Sequence, residues 1–311
     1  MKGVWRILLI GGLACAALFF VHGVYLQADN IVDIPRLSEA RVVVGGDMMF
    51  DRSIRTTIDE KGGDYVFSCL DPVLKGADLV MANLEGPITP NASKSVGSSV
   101  GGAGNFTFTF PLSTAELLYR HNVRVVNLGN NHILNFNFEG LRATEDALTT
   151  AGVAYFGDPV AQSVATVNIN DVVLAFINYN DFGLSSSSYR ASTTLSQIRA
   201  AKKAGALPVV YTHWGIEYVP ENDAQIALAH EFVDAGAAIV IGSHPHVVQH
   251  HEVYKGAYIY YSLGNMIFDQ YWNDAVRSGL LLDITFHKGG VRSVKEVPVY
   301  LERDRTTCPK Q

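Results

Sequence analysis

Five short hydrophobic runs in this chain each give way to residues that can bind a cation. Residues 41–45 lead into Asp47, and residues 77–82 lead into Asn83-Leu84-Glu85. Residues 123–128 lead into Asn131-His132, residues 208–211 into His213, and residues 237–241 into His244-Pro245-His246. Helical stretches lie between the runs, at 113–121, 138–151, 195–204 and 223–235. Ser113 and Glu116 have the spacing of a capping box. Gly152, Gly205 and Gly236 stand where helices should end. Strand and helix in alternation predict an α/β domain. In such folds the carboxyl ends of the strands share one rim, and ligand sites form there. Two carboxylates, an Asn and four His on one rim are the ligand set of a two-metal hydrolytic site. Carboxylate bridges and neutralises the cations, and imidazole favours Mn, Fe, Zn or Ni over Mg or Ca.

The rest of the chain sets the context. A hydrophobic share of 48% against 17% charged residues is enough for a large buried core. A net charge of −6 argues against nucleic acid as a partner. Lys2 and Arg6 precede an apolar stretch over residues 7–26, which approaches the length needed to cross a bilayer. It reads as a signal anchor, as a signal peptide cut near Val21-His22-Gly23, or as a weak lipoprotein signal at Leu13-Ala14-Cys15. Each reading leaves the remainder outside the cytoplasm, either on a single membrane pass or secreted. The expected division is residues 1–27 and one domain over 40–303. Cys69 and Cys308 either pair or remain free thiols, and no spacing suggests structural zinc. The Gly/Ser-rich stretch 93–105 reads as a mobile surface loop, and Phe106, Phe108 and Phe110, alternating with threonine, read as a strand. Residues 280–286 and 291–300 read as a hairpin turning at Lys288-Gly289-Gly290.

Six motifs carry a resemblance. They are Val44-Gly-Gly-Asp47-Met-Met-Phe-Asp-Arg52, Asn83-Leu-Glu-Gly-Pro87, Asn127-Leu-Gly-Asn-Asn-His132, His213-Trp-Gly215, Gly242-Ser-His-Pro-His246 and Tyr261-Ser-Leu-Gly-Asn265-Met-Ile-Phe-Asp269. In this order they resemble the CapA family of poly-γ-glutamate capsule synthesis proteins, within the calcineurin-like metallophosphoesterases. The resemblance spans about residues 41–270. It implies a four-layer αββα sandwich. It also implies two divalent transition-metal ions (Mn, Fe or Zn). Asp47 and His246 would bind the first, Asn131, His213 and His244 the second, and Glu85 would bridge them. His132 would be an outer-shell acid or a donor to the leaving group. The implied substrate is a phosphoester or an anionic polymer, handled by a hydrolase within a capsule-synthesis complex. The other reading is a non-catalytic, membrane-anchored accessory protein that binds poly-γ-glutamate.

Two positions depart from the pattern. Met49 stands where the superfamily has a His, which opens the option of a single metal. Asn135 stands where family members carry an Asp, so a carboxylate to orient His132 is missing. Arg52, Asn265 and Asp269 are candidate substrate-binding residues, with a salt bridge as the plain alternative for Arg52 and a turn cap for the other two. His250 and His251 read as solvated, and His230 as a partly buried helix residue.

Overall fold

The computed structural model describes residues 38–310. The expected N-terminal segment lies outside that range. Among the described residues no helix is long and apolar enough to cross a membrane.

Alternation along the strands builds the layers. In β1 (Glu39–Met48), Val42 and Val44 face one core while Val43 faces another. This is the two-residue period of a strand buried on both faces. β2 (Leu79–Leu84), β3 (Val123–Asn127) and β4 (Ala154–Phe156) extend from β1 in parallel. A second sheet runs through β5 (Ala165–Ile169), β6 (Val172–Asn180), β7 (Leu207–His213), β8 (Ile239–Ser243), β9 (His251–Tyr254) and β10 (Ala257–Tyr260), with β10 between β8 and β9. The chain then returns to the first sheet. β11 (Asn265–Ile267) pairs with β1, and β12 (Ser278–His287), β13 (Gly290–Leu301) and β14 (Thr307–Pro309) add antiparallel strands on its other side.

Val42, Val44, Met81, Val125 and Leu282 of the first sheet meet Leu174, Phe176, Val209, Tyr211 and Ile241 of the second in one core. On the outer face of the first sheet pack α1 (Arg52–Lys61), α2 (Asp64–Phe67), α3 (Asp71–Leu74), α4 (Thr114–Arg120) and α5 (Asn137–Ala151), through Ile54, Phe67, Leu74, Leu118 and Leu148. α6 (Ser187–Lys203) and α7 (Asp223–Ala235) cover the second sheet through Ile198, Ala229 and Phe232. A last short helix, α8 (Asp274–Arg277), precedes β12. The four expected layers, helix, sheet, sheet and helix, are present.

Some local expectations fail for physical reasons. Ser113 sits in helical geometry (φ −63°, ψ −12°) and its side chain makes no cap bond, so there is no capping box. The box appears instead at α7, between Asn222 and Gln225. α6 starts at Ser187, eight residues before the expected start, because the Ser186 side chain accepts the Tyr189 N–H. Residues 106–110 form no strand. Ala103–Phe106 is a 3₁₀ turn, Phe106 is half exposed, and Phe110 makes one isolated bridge to Ile88. Phe108 and Phe110 face the outer core of the first sheet.

Cys69 and Cys308 are joined, tying the connection between α2 and α3 to β14. Beside this bond the buried His121 stacks on Phe67 with ring centres 4.3 Å apart. Its two ring nitrogens reach Asp71 Oδ1 at 2.5 Å and Asp64 Oδ1 at 3.0 Å.

Candidate metal centre

Backbone register brings the site together. Asp47 on β1, Asn83 on β2 and Asn127 on β3 are direct neighbours across the sheet. At the equivalent level of the second sheet, His213 of β7 pairs with Ser243 of β8. The segment from Tyr261 to Asn265 then crosses the ends of both sheets, close enough that two glycines are required. A β-carbon on Gly46 would lie 1.9 Å from Gly264 O, and one on Gly242 would lie 1.9 Å from Tyr261 O. These glycines precede Asp47 and Ser243-His244, so close backbone approach and ligand placement are one feature.

All six expected ligands come together. Asp47, Glu85 and His246 form one group and Glu85, His213 and His244 a second, each with its ligand atoms within 4.8 Å of one another. Glu85 belongs to both groups. Its Oε1 lies 3.6 Å from His246 Nε2 and 3.9 Å from His213 Nε2. Asn131 Oδ1 is 2.9 Å from His213 Nε2.

The surrounding hydrogen bonds fix the imidazole tautomers. Ser243 Oγ donates to Thr212 O at 2.9 Å, so it accepts from His213 Nδ1 at 3.0 Å. That leaves the lone pair of His213 on Nε2, facing the carbonyl oxygen of Asn131. A cation held by both atoms would satisfy this pair, and burial, followed by His244, pushes the His213 pKa well down and disfavours a second proton. The Asn265 amide donates to Gln270 Oε1 and Val276 O, both at 3.0 Å, so its Oδ1 accepts from His246 Nδ1 at 2.9 Å. His246 Nε2 is thereby aimed at Glu85. A neighbouring group that holds the other ring nitrogen is the usual way to orient a metal-binding imidazole.

Two buried atoms of the centre, Glu85 Oε1 and His244 Nδ1, have no hydrogen-bond partner. A buried polar atom without a partner costs about 1–3 kcal/mol. His244 and His246 also hold positive φ angles of 95° and 57°, a cost of about 1–3 kcal/mol each for residues with a β-carbon. Asp47 Oδ2 helps to hold that turn by accepting the His244 N–H at 3.1 Å. Cations at Glu85 would satisfy the unpartnered atoms, so the donor set fits metal.

The charges are set by burial. Burial, then the charge of Asp47, drives the Glu85 carboxyl well above its ordinary range. Burial also acts against ionisation of Asp47, but His246, His213 and the Glu85 carboxyl beside it together outweigh burial and hold that carboxyl low. His244 is pushed down to about 3, by burial and then by His246. Neutral imidazoles beside paired carboxylates are what a divalent cation requires.

The remaining candidates lie around this centre. His132 stacks on Phe108 at 4.4 Å and its pKa is pushed down to about 4, chiefly by burial. Its Nδ1 donates to Asn135 Oδ1 at 3.1 Å. The amide at position 135 therefore orients His132 as a carboxylate would, without the charge. Met49 is sealed in the outer core of the first sheet, and its Sδ accepts the Asp51 N–H at 3.0 Å. Arg52 lies over the Phe108 and Phe268 rings and pairs with Asp269 at 2.5 Å. Asp269 also accepts from Ser53 N and Oγ at the start of α1. A cleft of about 600 Å³, lined by Arg52, Phe106, Tyr218, Asp269 and Trp272, adjoins the centre where Tyr218 stacks on His246. Asn265 is fully buried and orients His246 rather than facing this cleft. His250 and His251 are exposed, and His230 is half-buried against Tyr254 and Glu252.

Sequence reading gave no role to Asn83, Asn127, Asn178 or Ser243. Asn83 and Asn127 stood inside quoted motifs. A hydrophobic run ending on asparagine at two adjacent strands was the available signal.

Two mixed sheets between helices, with carboxylate, amide and imidazole meeting at the strand ends, define an α/β protein of the calcineurin-like metallophosphoesterase type. Within that class the chain belongs to the bacterial capsule synthesis protein family PGA_cap, whose pattern matches residues 41–270. It is 32% identical over 276 residues to the capsule biosynthesis protein CapA of Bacillus anthracis, covering 83% of this chain and 66% of that one. It is 29% identical over 271 residues to the PGA biosynthesis protein CapA of Bacillus subtilis, covering 82% and 70%.

Proposed function

We propose that this protein is a metal-dependent phosphoesterase-type hydrolase serving the synthesis or export of poly-γ-glutamate capsule or a related envelope polymer. The observation that carries the reading is Glu85: one buried carboxylate shared by two ligand groups, with an oxygen left unpartnered between two imidazole lone pairs. Asp47, Glu85 and His246 would hold one ion, and Glu85, Asn131, His213 and His244 the other. When bound, such ions polarise a phosphoryl oxygen and supply an activated water at neutral pH. His132 keeps one nitrogen on Asn135, and its other nitrogen would pass a proton to or from a substrate oxygen. Arg52, held over two aromatic rings and paired with Asp269, would meet an anionic chain by exchanging that partner.

The names of the Bacillus relatives support the polymer, and we extend their role to this chain on that ground. The apolar segment at residues 7–26 would hold the domain outside the cytoplasm or be cut to release it. The Cys69–Cys308 bond suits such an oxidising compartment.

Metal-stripped protein supplied with Mn²⁺ is expected to take up two equivalents and to hydrolyse an aryl phosphate. His244→Ala should lower turnover by more than about 100-fold, beyond the 10–100-fold typical of outer-shell changes. Metal-free protein that binds poly-γ-glutamate as well as the loaded form, without turnover, would replace the hydrolase with the accessory binding protein.

A further inference from the structure

The side chain that bridges the two carboxylates belongs to a chain of asparagines that starts in the opposite sheet. Asn83 donates one amide group to both carboxylates, to Asp47 Oδ1 at 2.8 Å and Glu85 Oε2 at 3.2 Å. Its Oδ1 accepts from Asn127 Nδ2 at 2.9 Å and from Asn130 Nδ2 at 3.1 Å. Asn127 Oδ1 accepts in turn from Asn178 Nδ2 of β6 at 2.9 Å. Every amide here is oriented by its neighbour, because an Nδ2 that donates forces an Oδ1 to accept.

The fold makes room for this chain. A β-carbon on Gly129 would lie 2.2 Å from Asn178 Oδ1, and one on Gly157 would lie 2.7 Å from both Asn127 Oδ1 and Asn178 Cβ. Asn83 and Asn127 are fully buried, so neither amide can turn to water. The Asn130 side chain also ties to Leu84 O at 2.8 Å and, through its Oδ1, to the His132 N–H at 3.0 Å. One network therefore touches Asp47, Glu85 and the Asn131-His132 turn.

We propose that Asn83 is a positioning residue for the metal centre, and that Asn127 and Asn178 lock its amide in the one orientation that aims Asp47 and Glu85 at the cations. The proposal rests on the metal reading of the site. When Glu85 ionises, as metal binding requires, Coulomb repulsion from Asp47 turns the two carboxylates away from each other unless a donor bridges them. Asn83 is the bridge, and it leaves Glu85 Oε1 free. With the bridge removed, Glu85 turns away and the second ion loses its shared ligand.

The test is titration of the purified full-length, metal-stripped chain with Mn²⁺ by calorimetry, with melting of the metal-free protein measured alongside. Asn83→Leu keeps the volume and removes the amide. It should raise the Kd roughly 10–100-fold. Asn178→Ser, two links from the carboxylates, should raise it roughly threefold to tenfold. The metal-free melting temperature of Asn178→Ser should stay within about 5 °C of the parent. If Asn83→Leu does not fold, Asn178→Ser decides alone. A lower melting temperature with Kd unchanged within about twofold would reduce the network to a structural role and overturn the proposal. Parent protein that takes up no Mn²⁺ would overturn the metal reading together with it. Tight binding by the parent and by both variants would overturn the positioning role only.

Discussion

Glu85→Gln abolishes binding of both metal ions, while His246→Ala and His244→Ala each remove one. Glu85 is the only residue common to the two ligand groups, so stoichiometry falls from two to zero in the first case and from two to one in the others. Metal content after equilibrium dialysis reads this directly. The same substitution stabilises the metal-free protein at neutral pH, by on the order of 1–3 kcal/mol. At neutral pH folding must either bury an ionised Glu85 beside Asp47 or take up a proton there, and the neutral amide avoids both costs. The pH dependence follows from the raised carboxyl. The folded protein holds a proton on Glu85 that the unfolded chain releases near pH 4.5. Stability from this group is therefore complete below that pH and is lost as pH rises through the higher folded-state value. Metal-free protein should lose melting temperature on going upward from pH 4.5, and Glu85→Gln should flatten that slope. Bound Mn²⁺ should reverse it, because metal selects the ionised carboxylate. A variant that still binds two ions, or melts lower without metal, would contradict the shared role of Glu85.

The second large effect is on stability. Breaking the Cys69–Cys308 bond, by reduction or as Cys69→Ser with Cys308→Ser, should cost about 2–5 kcal/mol and lower the melting temperature by roughly 5–15 °C. The bond closes a loop with a sequence separation of 239, so the chain-entropy gain is near the top of the usual range. It anchors β14 and the α2–α3 connection, where His121 is already held between Asp64 and Asp71. Thermal melts with and without reductant measure the effect. The lost stability should leave the Mn²⁺ stoichiometry unchanged, because neither cysteine belongs to either ligand group. A shift below about 2 °C would mean that the edge strand holds without its covalent tie.

The site was more legible than the helices. Asp47, Asn131, His213, His244 and His246 were readable because each follows a hydrophobic strand, and strand ends of an α/β fold point the same way whatever the loops do. Glu85 was readable for the same reason. Asn265 was not, because an amide that orients His246 and one that contacts a substrate look alike in sequence. The asparagine network was hidden because each of its members is an ordinary turn former. Only registers such as Asp47 beside Asn83 beside Asn127 show that they touch. α1 to α3 escaped notice because four-residue helices are too short to show a period, and Arg52–Lys61 carries only Ile54 and Ile58 among polar and charged residues. The Phe106 to Phe110 stretch had the period of a strand, yet no neighbouring backbone pairs with it beyond the Ile88 bridge. The Asn135 substitution looked like a loss, but orienting His132 needs an acceptor, and an amide oxygen is one.

The central claim is that residues from both sheets were built to hold cations around Glu85. Anomalous diffraction from crystals grown with Mn²⁺ tests it most directly. The account predicts two peaks about 3.5–4 Å apart, one among Asp47, Glu85 and His246 and the other among Glu85, Asn131, His213 and His244. Diffraction showing no peak at these side chains, with manganese present in the crystal, would contradict it.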